Sequence, residues 1–373
     1  MSKNHGKNRN PSFRISRSFV SDGSRFPLLD LIRIVAALSV FVYHFGIGSK
    51  NQDSWQTFKF GSLTPSWNDN QFLSIWSQYG YLGVDVFFFL SGFVISRTMT
   101  GKGPNEFLLA RFKRLFLPYF LVFIPTFIVY YFFSIKPPLT DSSILDVAFS
   151  AQWKGLQPII AASWTLVYEI NFYLIVFIFM AIREILKKLG VDFHPHTFFI
   201  GLLILSSVSK LENYPTPFNI LFLGGYSILF VGGALTYFII SNAFRMNFVL
   251  KFWLVLLLTS QILIHLKARI PNDQNATKIS LIVISSMFLV IVITRCLKDK
   301  HLKSGVLGNI SFLTYTFYLL HQQVGLAIAT FLVSRLGMNT ELVLFLIVFV
   351  IFVLSFLIES LCSKIWNISV KNM

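Results

Sequence analysis

The chain has 373 residues, 54% of them hydrophobic and 13% charged, with 42 phenylalanines and a formal charge of +16. A soluble domain carries charge nearer ~25%, so the composition excludes an ordinary water-soluble globule and points to an integral membrane protein. The surplus Lys and Arg falls in short segments between apolar runs, where it suits anionic lipid headgroups and leaves a nucleic-acid partner without support.

The first 27 residues, "MSKNHGKNRNPSFRISRSFVSDGSRFP", are basic and polar and lack the apolar stretch of a signal peptide; they read as a disordered cytoplasmic tail. Apolar runs long enough to cross a bilayer, about 17–25 residues, then follow at roughly 28–48, 81–98, 115–134, 164–182, 197–209, 218–240, 252–267, 279–296, 309–333 and 341–362. The fifth is short, and an interfacial or re-entrant segment is its alternative. Every backbone amide in lipid must be paired within its own segment. The expectation is therefore an all-α bundle of about ten transmembrane helices, with the membrane domain over 28–366 and a short tail at 367–373. With the N-terminus inside, 22 of the 32 Lys and Arg lie in inner segments and nine in outer ones. That asymmetry places both termini in the cytoplasm. The two cysteines, Cys296 and Cys362, fall near the inner face, and neither a disulfide nor a metal site is expected of them.

Ionisable groups inside such runs are expensive, and each is a candidate for function. Run 1, "LDLIRIVAALSVFVYHFG", holds Asp30 and Arg33 near its inner end and His44 in its outer half. Arg33 and His44 are eleven residues apart, about three turns or ~16 Å of rise, on nearly the same face. Run 2 carries Asp85 just below its outer end, and run 4 carries Glu169 and Asn171 one to two turns down. Run 9 repeats Ser311, Thr314, Tyr315, Tyr318, His321 and Gln322 at three- and four-residue steps, a polar stripe suited to a hydrated interior. Acid and base groups thus gather in the outer layer. The cations Arg33, Arg111, Lys113 and Arg114 gather at the inner surface.

Five stretches resemble the acyltransferase 3 family of membrane-bound O-acyltransferases. "LDLIRIVAALSVFVYH" resembles its basic residue, ten residues, histidine signature, landing on Arg33 and His44. "GVDVFFFLSGFVIS" resembles "GVDLFFVLSGFLI" and covers Asp85, Ser91 and Gly92. "RFKRLFLPYF" resembles the family's Arg-x-x-Arg segment. "SWTLVYEINFYL" resembles "WSLSVEEQFYL", and "ISFLTYTFYLLHQ" resembles "iSYslYLwHwP". Two positions depart from the pattern: Ile170 replaces the second acid beside Glu169, and Gln322-Gln323 replaces the residues after His321.

The resemblance implies transfer of an acyl group, most often acetyl, from cytoplasmic acyl-CoA to a hydroxyl of an extracytoplasmic glycan, in a bacterial inner membrane. Arg33, Arg111 and Arg114 would hold the phosphates of coenzyme A, since arginine pairs with phosphate through a planar fork. His44 would act as general base, with a covalent acyl-histidine relay as the competing version. Glu169 or Asp85 would orient the imidazole, and His321 would polarise the thioester or bind the acceptor.

Plainer readings stand beside these. Arg33 alone can snorkel to headgroups, Asp30 can serve the helix dipole, and Arg111 and Arg114 alone follow the positive-inside rule. Asp85 is equally suited to tying run 2 to a neighbour, while Ser91 and Gly92 suit close packing. His5, His194, His196, His265 and His301 fall in loops or at run ends and receive no role. Trp55, Trp67, Trp76 and Trp153 read as interfacial anchors. The competing function is a proton-coupled transporter of a small solute or glycan precursor, which an internal repeat would favour and none is visible; a third is a non-catalytic partner in glycan assembly. The acceptor and the oligomeric state leave no mark in the sequence.

Overall fold

A computed structural model describes residues 27–46, 70–133, 158–209, 224–241, 248–269 and 306–371, with scattered positions between 275 and 285. Among these the chain is helical, without a strand. The helices are α1 (Pro27–Phe45), α2 (Gln71–Tyr79), α3 (Gly83–Met99), α4 (Pro104–Phe132), α5 (Trp164–Lys188), α6 (Pro195–Ser209), α7 (Ser227–Ser241), α8 (Phe248–Arg269), α9 (Val306–Leu320), α10 (Leu326–Ser334) and α11 (Thr340–Lys371). Six spans among the described residues are long and apolar enough to cross a membrane: Pro27–Phe45, Gln71–Met99, Pro104–Phe132, Ala161–Lys188, Val306–Ser334 and Thr340–Trp366. Three shorter apolar helices, Pro195–Leu205, Ser227–Ser241 and Leu254–Lys267, answer to the expected fifth, sixth and seventh runs. The expected run 279–296 lies mostly outside the described residues, and the N-terminal tail before Pro27, Cys296, His5, His301, Trp55, Trp67 and Trp153 lie outside them.

Boundaries shift where hydropathy is blind. The third run starts eleven residues earlier than its apolar stretch because Pro104 opens a helix behind Gly103, so Arg111, Lys113 and Arg114 belong to α4 rather than to a loop. The segment before α3 contains the amphipathic helix α2, capped by Asn70, whose side chain accepts from the amides of Phe72 and Leu73. Trp76 of α2 donates its indole N–H to Ser39 Oγ at 2.7 Å, which fastens α2 to α1. The ninth run is interrupted: a π-helical turn, His321–Gly325, separates α9 from α10.

The bundle is organised around α3. A Cβ placed on Gly80 would meet the Ser39 carbonyl at 2.1 Å, and one on Gly83 would meet that of Ala36 at 2.5 Å. As the chain rises from 80 to 83 its partner falls from 39 to 36, so α3 runs antiparallel to α1. The crossing with α7 is tighter. A Cβ on Gly92 would stand 1.9 Å from the Phe230 carbonyl, and one on Gly233 would stand 1.9 Å from that of Phe89. Two glycines thus let two backbones touch, the packing that small residues allow in lipid, where hydrophobic burial gives helices little reason to associate. Helix α7 is buried on nearly all sides, from Ser227 through Phe238, as a helix that is apolar all round should be.

Candidate active site

The other face of α3 lines a cavity of about 570 Å³, within the range of small-molecule sites. Val84, Phe87, Ser91, Val94 and Thr98 line it at three- and four-residue steps, with Phe88 beside them, one stripe of the helix. Helices α1, α4, α5, α9 and α11 complete the wall. Six cations face it: Arg33, Arg97, Lys102, Arg111, Lys113 and Arg114. Asp30, Glu106 and Glu169 are the acids in the same wall, and Glu106 is already paired with Lys102 at 3.1 Å. The cavity is therefore electropositive.

The guanidinium groups are positioned but incompletely used. Arg111 donates one Nη to Thr98 Oγ1 at 2.8 Å, and its guanidinium carbon lies 5.8 Å from the Phe107 ring centroid and 5.9 Å from that of Tyr173. Arg114 donates to the Phe312 carbonyl at 3.2 Å and stacks on the Phe312 ring at 4.4 Å. Yet Arg111 Nε and Arg114 Nη1 are buried with no hydrogen-bond partner. A buried charged donor without an acceptor is costly, ~1–3 kcal/mol or more. Both arginines therefore keep hydrogen-bonding capacity in reserve beside the cavity.

Glu169 sits partway along the same wall. It accepts from Ser91 Oγ at 2.9 Å and from the Tyr173 hydroxyl in a short bond. Among the described residues its partners are these two hydroxyls and neither histidine.

The two histidines meet each other instead. The rings of His44 and His321 are 5.1 Å apart, although 277 residues separate them in the chain. His321 is 1% exposed, and its Nδ1 lies 2.5 Å from the Tyr318 carbonyl. A carbonyl only accepts, so Nδ1 carries the proton and Nε2 keeps its lone pair; Nε2 is buried without a partner. Neither ring lines the cavity. Tyr318 joins the two places, because it lines the cavity and its ring stands 5.3 Å from that of His321.

Asp85 is placed elsewhere. It lies on the α7-facing side of α3, fully buried, with Oδ1 3.0 Å from Nε2 of His265 on α8. His265, which sequence reasoning left without a role, is 6% exposed and closes that inter-helix bond. Glu359 was also missed, since it falls close to the end of its apolar run. It is 5% exposed and accepts from Thr316 Oγ1 at 2.6 Å, tying α11 to α9. Tyr173 and Tyr318 gave no signal beyond helical spacing from Glu169 and His321.

A family model described as an acyltransferase domain matches residues 26–361, nearly the whole chain. No curated protein and no solved structure matches it.

Proposed function

The chain belongs to the acyltransferase 3 family, and on that premise we propose that it transfers an acyl group, acetyl in the reading preferred here, from acyl-CoA to a hydroxyl of an extracytoplasmic glycan. The observation that carries this reading is the cavity itself: six cations with two orphaned guanidinium nitrogens at one end, and Tyr318 leading to a histidine pair at the other. Both termini are assigned to the cytoplasm of a bacterial inner membrane, with the cation end of the cavity opening there, in a bundle of about ten spans.

Coenzyme A is a polyanion with a reactive thioester at the far end of a long arm. Arg33, Arg111 and Arg114 hold its phosphates through charge-assisted bonds. The pantetheine arm runs past Ser91 and Glu169 toward Tyr318. Antiparallel α1 and α3 put Arg33 and His44 ~16 Å apart along that direction. A hydroxyl is a weak nucleophile at neutral pH, so an imidazole must take its proton during attack. His44 does this, and His321, its tautomer fixed by Tyr318, lies against it to receive the acceptor or share the proton. The hydroxyl oxygen bonds to the acyl carbon, the carbon–sulfur bond breaks, and the proton held on imidazole passes to the departing thiolate. Glu169 keeps the Ser91 and Tyr173 hydroxyls turned into the cavity, a positioning role. Asp85 acts on the fold through His265.

Isothermal calorimetry on the purified protein tests the donor. Acetyl-CoA should bind the wild type, and Arg114→Ala should weaken it about 10- to 100-fold, the loss of one charge-assisted contact of ~1.5–3 kcal/mol. His44→Ala should keep the donor bound within about twofold while lowering acyl transfer by at least ~10²-fold, read as acetyl ester on surface glycan by proton NMR. Absence of acetyl-CoA binding, with solute flux in proteoliposomes and no acyl transfer, would replace this reading with the transporter.

A further inference from the structure

We infer that the indole of Trp366 is the face on which the purine base of the donor nucleotide stacks, with the neighbouring cations holding its phosphates. This rests on acyl-CoA being the donor.

Trp366 belongs to α11 and forms part of the cavity wall together with Lys102, Lys113 and Arg114. It lies two turns beyond Glu359, hence on the same face of the helix, and the Glu359–Thr316 bond turns that face toward α9 and the cavity. The Lys113 ammonium stands over the indole, 3.5 Å from the ring centroid. A second cation-capped ring of the cavity wall, Phe312, differs in one respect. Arg114 is tied down over it by a bond to the Phe312 carbonyl. Lys113 is half-buried, on a flexible four-carbon stem, and among the described residues no comparable bond fixes its ammonium over Trp366.

A nucleotide carrying phosphates and a base asks for this combination. The ammonium is a better partner for a phosphate than for a ring, and the ring is a better partner for a flat base than for a solvated cation. When the donor enters, Lys113 moves from the indole to phosphate, and the base takes its place on the ring. No bond is made or broken in that exchange.

Calorimetry of the full chain with coenzyme A and with 4′-phosphopantetheine, which has a phosphate and the same arm but no base, separates the outcomes. Trp366→Ala should weaken coenzyme A about tenfold, the loss expected from removing one base–aromatic stack, and leave 4′-phosphopantetheine within about twofold. Trp366→Phe should hold coenzyme A within about threefold of wild type. Should Trp366→Ala not fold, Trp366→Leu keeps the bulk without the π face and is read the same way. Equal weakening of both ligands, or of neither, overturns the inference while leaving the donor reading in place. A wild type that binds neither ligand overturns the donor reading, and this inference with it.

Discussion

The two faces of α3 solve opposite problems with buried polar groups. On the α7 side the charged group is satisfied: Gly92 and Gly233 bring backbones into contact, and Asp85 finds His265 at 3.0 Å, while the neutral Ser96 hydroxyl is buried there without a partner. On the cavity side, one helical stripe away, guanidinium nitrogens of Arg111 and Arg114 remain without acceptors. A satisfied pair holds helices together, whereas an unsatisfied cluster in an open space is a place for a ligand. One helix therefore carries both the clamp of the bundle and a wall of its site, and substitutions on it should divide by face.

The largest effect expected is at the clamp. Gly92→Val would drive methyl groups into the Phe230 backbone, which cannot move as a side-chain tip can. Overpacking of that kind costs ~1–3 kcal/mol even where side chains can adjust; here the folded protein should disappear, measured as loss of the monodisperse peak in detergent. A normally folded Gly92→Val protein would break the division by face. Asp85→Ala comes next, leaving the His265 ring without its buried partner. A loss of about 3 kcal/mol is expected, seen as a lower thermal midpoint, while the surviving folded fraction keeps its coenzyme A affinity. If affinity fell and the midpoint did not, Asp85 would belong with the site. On the cavity face the sign changes. Arg114→Met removes a charge whose partners are incomplete, so the ligand-free protein should be as stable as wild type or up to ~1 kcal/mol more so. Ser91→Ala should cost at most about 0.5 kcal/mol, the smallest effect, because Glu169 retains Tyr173; it should show in transfer rate more than in midpoint.

The Arg33 and His44 positions illustrate what spacing can and cannot give. Eleven residues on a helix fix their axial separation and common face, so their stacking along one side of α1 was legible. What stands opposite each was not: Arg33 faces the cavity beside α3 and α4, and His44 faces a ring 277 positions away. Glu169 shows the same gap, with its depth readable from the run but its partners Ser91 and Tyr173 known only from packing. His265 was passed over because a single histidine near the end of an apolar run carries no periodic signal. Trp76 read as a headgroup anchor because a nine-residue amphipathic helix is too short to stand out from a loop.

By itself the sequence determined the solvent, the helical class and most of the spans, because bilayer thickness and backbone pairing leave an apolar run few alternatives. Its motifs also carried the family. Only the tertiary structure decided which polar groups satisfy one another and which are left for a ligand. That outcome depends on helix crossings set by single glycines and on a π-helical turn at His321, neither of which hydropathy registers.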